Sequence, residues 1–176
     1  MKQKIGILYS TVDGQTLKIC SYIHDLLDPK KTSAHLYSID NFNSKIADFD
    51  VLIIGASIRY GKHNEKISEF ILNNREDLGK IRTGFFSVNL VARKDNKNLP
   101  STNPYLIKFI DRIKWEPDVL DVFAGKLDYK SYPFFDRIMI KLIMKMTKGP
   151  TKTDQPIEYT DWERVKSFTS KMLEDQ

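Results

Sequence analysis

The stretch Ile5-Gly6-Ile7-Leu8-Tyr9-Ser10-Thr11-Val12-Asp13-Gly14-Gln15-Thr16 passes from an apolar run into hydroxyl, acidic and glycine residues and then opens a helix. Ile5, Ile7 and Leu8 suit a buried parallel strand. The turn after them frees backbone N–H groups at the positive N-terminal end of a helix starting at Thr16. Such a turn can cradle a phosphate, although an ordinary βα connection is the plainer reading. The chain has neither a second glycine at dinucleotide-fingerprint spacing nor a Gly-Lys-Ser/Thr, so a phosphate here would be held without either pattern.

Outward from this stretch, apolar runs alternate with helical patterns, as in a doubly wound α/β domain with a parallel sheet. Strands are expected at Lys4 to Tyr9, Ala34 to Ser38, Val51 to Ala56, Gly84 to Asn89 and Val119 to Ala124. After the helix from Thr16, a second runs from about Glu65, with Asn64 as its cap and Ile67, Phe70, Ile71, Asn74 and Leu78 at helical spacing. A third begins at Asn103-Pro104, where asparagine caps and proline fills the first position. The last opens on a capping box, Thr160-Asp161-Trp162-Glu163, and buries Trp162, Val165, Phe168 and Met172. Two connections, Leu90 to Thr102 and Gly125 to Tyr159, exceed what sheet closure needs. Both should emerge beyond the carboxyl ends of the strands, where open α/β sheets bind ligands.

With 176 residues, 41% of them hydrophobic, the chain reads as a single domain over 1–176 that can bury a core without staples. Cys20 is the only cysteine, which excludes an intramolecular disulfide and fits a reducing compartment. It falls beside Ile19, Ile23 and Leu27 on the first helix and reads as a buried structural thiol. His24, His35 and His63 lack helical metal-pair spacing, so no metal site is expected. No N-terminal charged-then-apolar signal is present, and no run approaches the roughly 20 apolar residues of a membrane span. The chain is therefore expected to be cytosolic or peripheral. The net charge of +5 calls for an acidic partner.

Tyr9, Ser10, Thr11, Gly14 and Thr16, in that spacing, resemble the phosphate loop of the flavodoxin-like family, and the resemblance spans essentially the whole chain. It implies a five-stranded parallel sheet of order 2-1-3-4-5 that binds flavin mononucleotide (FMN) noncovalently on the loops after strands one, three and four. Ser10, Thr11, Asp13, Gly14, Gln15 and Thr16 would hold the phosphate end. Ser57, Ile58, Arg59, Tyr60, Ser87, Val88, Asn89 and Ala92 would flank the ribityl chain and ring. Gly55 to Gly61, Ser87 to Lys94, Asp136 to Met146 and Tyr159 to Glu163 resemble, more narrowly, the family of menaquinone-dependent protoporphyrinogen IX dehydrogenases. That resemblance implies oxidation of protoporphyrinogen IX with electrons passed to menaquinone. Arg59, Arg93, Lys94 and Arg137 are the candidate contacts for propionate or quinone, and no general base is singled out.

The chain departs from electron-carrying flavodoxins in being basic and in placing Leu90 and Val91 where a second flavin-facing aromatic usually lies. Arg59, Arg93 and Lys94 would stabilise an anionic reduced flavin and favour two-electron chemistry. Taken singly, each also reads as a solvated loop cation. An NAD(P)H-dependent quinone reductase and a one-electron carrier are the alternatives on the same fold.

The insertion, about 125–159, carries most of the excess charge. From Lys126 to Lys148, six cations face two carboxylates, a net +4. A helix over Pro133 to Thr147 gathers Arg137, Lys141, Lys145 and Lys148 within an arc of about 80°. Phe134, Phe135, Ile138, Met139, Ile140, Leu142, Ile143, Met144 and Met146 cover most of the rest. Three readings stay open: a helix packed on the sheet with lysines reaching water, an interfacial helix on anionic lipid, and nucleic-acid binding. The sheet closes without this segment, which favours lipid. With no recognised reading module, no nucleic-acid partner is expected. The expected location is the cytoplasmic side of the cell membrane, held peripherally.

Overall fold

The computed structural model describes residues 1–174. Its strands are β1 (Gln3–Ser10), β2 (Thr32–Ser38), β3 (Val51–Arg59), β4 (Lys62–His63), β5 (Arg82–Val88), β6 (Val119–Phe123), β7 (Lys126–Leu127) and β8 (Ile157–Glu158). The helices are α1 (Gln15–Leu26), α2 (Glu65–Asn73), α3 (Arg75–Leu78), α4 (Pro104–Ile113), α5 (Phe134–Met146) and α6 (Trp162–Leu173). The five long strands pair in parallel in the order β2-β1-β3-β5-β6, which is the expected 2-1-3-4-5 once the short β4 is set aside. Each lies within about two residues of its expected span, save that β3 runs on to Arg59.

Alternation along the strands builds two cores. Leu8, Leu52, Ile54 and Phe85 pack on α2, α3 and α4 through Ile67, Ile71, Leu78, Leu106, Phe109 and Ile113. Ile5, Ile7, Ile53 and Phe86 pack on the other face, on α1 and α6, through Ile19, Cys20, Ile23, Val165, Phe168 and Met172. Cys20 is fully buried there, and burial pushes its thiol well above the ordinary range, as suits a structural thiol. Glycine lets two strands approach this core closely. A Cβ on Gly55 would lie 2.4 Å from Phe86 Cζ, and one on Gly84 would lie 2.5 Å from Met172 Sδ.

Local signals are honoured except where a tertiary partner outbids them. The Asn64 side chain caps α2 through the Lys66 N–H, and Asn103 caps α4 through Leu106. The helix expected to run on to Leu78 breaks at Asn74, whose side-chain amide donates back to the Phe70 carbonyl at 2.8 Å and ends α2. The expected capping box of the last helix does not form. Asp161 caps α6 through the Arg164 N–H, while Thr160 turns inward and donates to the Ala124 carbonyl at 2.7 Å. Lys148 lies beyond the end of α5, in left-handed conformation, and so leaves the helical basic stripe.

The ends of the insertion are tied by β7 pairing antiparallel with β8. Leu127, Tyr129, Tyr132 and Met144 form a small separate core, and the Tyr129 hydroxyl donates to the Pro150 carbonyl at 2.7 Å. No helix among the described residues is long and apolar enough to cross a membrane.

Filling the Gly55 gap forces a fully buried ring to move, a change that costs about 1–3 kcal/mol in a packed core. The substitution Gly55→Ala should lower unfolding free energy by that amount in urea titration, with the slope of the transition unchanged.

Candidate functional site

A cleft of about 380 Å³ opens at the carboxyl ends of β1, β3 and β5, with α5 as its roof. Its floor comes from three loops. In the first, Gly14 stands at the head of α1 with φ 80, a conformation that favours glycine, and no side chain caps the helix there. Thr11 and Thr16 line the cleft, and their hydroxyl oxygens are buried without a hydrogen-bond partner. An unpaired buried hydroxyl costs about 1–3 kcal/mol, so two of them at a helix N-terminus mark a place for a ligand with acceptor oxygens. Gln15 is buried and donates to Thr160 Oγ1 at 2.9 Å, and through the Thr160 bond to the Ala124 carbonyl the loop is fastened to the end of β6. This bond is what draws Thr160 away from capping α6. Ser10 is buried behind the lining, where its carbonyl accepts from the Ser57 hydroxyl at 3.5 Å.

The second loop is the β3–β4 hairpin, with Ser57, Ile58, Arg59, Tyr60 and Gly61 on the lining. Tyr60 and Gly61 both have positive φ, at 50 and 76, the two-residue turn that matches strand twist. Tyr60 is 68% exposed, and its hydroxyl donates to the Asp136 carboxylate of α5. That bond raises the phenol above its ordinary range, because ionising it would set two negative charges together. The Arg59 guanidinium lies 3.2 Å from an Asp13 oxygen and 3.4 Å from an Asp136 oxygen. Burial raises the Asp13 carboxyl above its usual range against the pull of Arg59.

At the end of β5, Val88 and Asn89 line the cleft, while Ser87 and Ala92 sit behind it in the interior. The Asn89 amide donates to Ser87 Oγ, which lies 2.8 Å from His63 Nε2, and Asn103 completes the chain. Burial, helped by the Arg112 charge, lowers His63 to about 3, so the ring is neutral.

Of the four cations singled out from sequence, only Arg59 lines the cleft. Arg93 is occupied in holding the end of α5, donating to Thr147 Oγ1 at 2.7 Å and to the Leu90 carbonyl at 2.9 Å. Arg137 donates to the Tyr132 carbonyl at 3.1 Å, and Lys94 is half-buried between two short 3-10 turns. The residues that sequence reasoning missed are Tyr105, Lys126, Tyr132, Asp136, Met139, Ile140 and Ile143, together with the backbone at Gly125. Asp136, Met139, Ile140 and Ile143 have the i, i+3, i+4, i+7 spacing of one helix face. That signal was present in the sequence but masked by an almost wholly apolar segment.

Around α5 the cleft-facing residues lie next to two further sectors. On one side come the cations Arg137, Lys141 and Lys145; beyond them Phe134, Phe135, Ile138, Leu142 and Met146 are exposed to solvent, Phe135 at 78%. Met139 is 44% exposed and also lines the cleft, so the exposed apolar face runs into the cleft mouth without a break.

Residues 6–154 match the family model described as Flavodoxin domain. The chain is 43% identical over 166 residues to the Protoporphyrinogen IX dehydrogenase (quinone) of Escherichia coli, covering 94% of this chain and 92% of that protein. It is 42% identical over 169 residues to the protein of the same name from Leishmania major, covering 95% and 73%. Among solved structures, a cysteine-to-serine mutant of flavodoxin from Pseudomonas aeruginosa matches with a TM-score of 0.54 at 10% identity, over 98% of this chain and all of that one, a likeness of fold alone.

The His63 ring titrates near 3 when folded and near its ordinary 6.5 when unfolded, so the unfolded chain takes up the proton first as pH falls. Stability is therefore whole above pH 6.5 and declines towards pH 3, by about 1.4 kcal/mol per pH unit for one proton. Urea titrations at pH 7 and pH 5 should differ by about 2 kcal/mol more for the wild type than for His63→Phe.

Proposed function

Because the chain belongs to the flavodoxin-domain family, we propose that it binds FMN noncovalently in the roofed cleft and oxidises protoporphyrinogen IX, with menaquinone as the electron acceptor. The observation that carries this reading is the pair of unpartnered Thr11 and Thr16 hydroxyls under an apolar roof of Met139, Ile140 and Ile143. The hydroxyls and the head of α1 suit a phosphate, and the roof suits a planar apolar ring. Two relatives at 42–43% identity are named Protoporphyrinogen IX dehydrogenase (quinone).

On this reading Thr11, Thr16 and the backbone at Gly14 and Gln15 hold the phosphate. Ser57, Ile58, Arg59, Tyr60, Val88 and Asn89 border the ribityl chain and ring. Ser10, Ser87 and Ala92 support these from behind, and Asp13 is engaged with Arg59. FMN, when bound, supplies the two-electron redox chemistry. The chain's part is to orient the ring, exclude water with α5 and present Arg59 to the acidic edge of a substrate. Lys126, also on the lining, is shared with Asp128 at 3.6 Å.

The acceptor's lipid solubility and the exposed face of α5 belong to the same argument. Six large apolar side chains flanked by Lys141 and Lys145 suit the interface of an anionic bilayer on the cytoplasmic side, where each cation adds about 1 kcal/mol. A quinone could pass along that face into the cleft at Met139 without crossing water.

The deciding experiment is anaerobic turnover of protoporphyrinogen IX with a menaquinone analogue. Porphyrin should appear in step with quinone reduction, whereas NAD(P)H should not drive the same acceptor. Thr16→Val should stabilise the cofactor-free protein by about 1 kcal/mol, since it removes an unpaired hydroxyl, and raise the FMN dissociation constant by about 10-fold or more. A merely structural hydroxyl would not move the two in opposite directions.

For the membrane, Lys141→Glu with Lys145→Glu should abolish cosedimentation with anionic liposomes while FMN stays bound. Arg137 is spared because its guanidinium holds the Tyr132 carbonyl. Unchanged cosedimentation would remove the lipid reading.

A further inference from the structure

We infer that Asp136 is a gating residue: its carboxylate, shared by Tyr60 and Arg59, clasps the first half of α5 over the cleft, and an incoming ligand carboxylate opens the roof by taking its place. This rests on the reading of the cleft as a site for a flavin and a porphyrinogen.

Only Asp136 and Met144 are buried among the residues of α5. Met144 anchors the second half in the small core of Leu127, Tyr129 and Tyr132, and Arg93 fixes its end through Thr147. The first half has no comparable apolar anchor. Phe134, Phe135 and Ile138 face solvent, and its ties are polar: Arg137 on the Tyr132 carbonyl within the insertion and, across to the sheet side of the cleft, the Tyr60 hydroxyl and the Arg59 guanidinium on Asp136. A helix anchored at one end by packing and at the other by a carboxylate is built to swing about the packed end.

Size calls for that movement. Ligand pockets span roughly 300–1,000 Å³, and a cleft of about 380 Å³ is at the small end of that range for a site that must take two reactants. Raising the first half of α5 would widen the space between the loops and the Met139–Ile140–Ile143 face.

The chemistry of the clasp selects the ligand that opens it. A guanidinium and a phenol hydroxyl converging on one carboxylate offer the same contacts to another carboxylate. An acidic side arm of a porphyrinogen can therefore replace Asp136 with no loss of hydrogen bonds, while Asp136 moves out into water. Arg59 also keeps Asp13 at 3.2 Å, so it stays in place through the exchange.

Hydrogen exchange of the FMN-loaded protein, read by mass spectrometry, tests the clasp directly. Amides in the first half of α5, residues 134–140, should exchange at least 10-fold faster in Asp136→Ala, and similarly in Tyr60→Phe, which removes one of the same bonds from an exposed turn. In the wild type, protoporphyrin IX should speed exchange of this segment, and its dimethyl ester, which lacks the carboxylates, should not. Exchange within twofold of wild type in both variants, or equal effects of acid and ester, would overturn the inference. If exchange responds but wild-type protein fails to oxidise protoporphyrinogen IX, the clasp stands and the proposed reaction falls. If turnover is normal and exchange unmoved, only the clasp falls.

Discussion

The antiparallel pairing of Lys126–Leu127 with Ile157–Glu158 fixes where the rest of the insertion can go. It pinches the two ends together directly after β6, so the chain between them must fold back on itself beside the strand ends. Tyr132 reinforces the pinch by donating to the Lys126 carbonyl at 3.0 Å and accepting from the Asp128 N–H at 3.1 Å. The outcome is that α5 lies over the crevice which an open α/β sheet leaves at its carboxyl edge. Without this ribbon the three loops would form a shallow, solvent-open rim.

A second constraint is electrostatic. The first loop, the β3–β4 hairpin and α5 meet at Arg59, which two carboxylates share. A lone guanidinium or a lone carboxylate in a partly desolvated cleft would carry a large solvation penalty, and joining them across three elements relieves it. In the same arrangement Asp13 is engaged by Arg59, and no side chain caps the head of α1. The positive end of the helix thus stays available for an anion.

Much of this was legible in the chain. Five apolar runs mark the long strands, Asn64 and Asn103 mark helix starts, and the hydroxyl-rich first turn marks one edge of the cleft, because each signal is local and has no strong competitor. Other features depend on partners that no local pattern shows. Thr160 has good capping chemistry, but Gln15, 145 residues earlier in the chain, claims its hydroxyl. Arg93 and Arg137 look like free loop and helix cations, yet backbone carbonyls and Thr147 occupy them. The strands β4, β7 and β8 have two residues each, too few to show a period, and they set the positions of Tyr60 and of α5.

The apolar excess of α5 finds its explanation in having two apolar faces rather than one. A helix that packs on a core needs a single apolar stripe, but α5 offers Ile140, Ile143 and Met139 to the cleft and Phe134, Phe135, Ile138, Leu142 and Met146 to the outside. Leaving that second face in water is unfavourable for a free monomer, and on the proposed function its place beside a row of lysines suits an anionic lipid surface. On the proposed function, the same helix joins the surface where a lipid-dissolved acceptor resides to the cleft where it must react. On the same inference, the clasp at Asp136 holds the first half of that helix over the cleft until a carboxylate-bearing reactant takes its place.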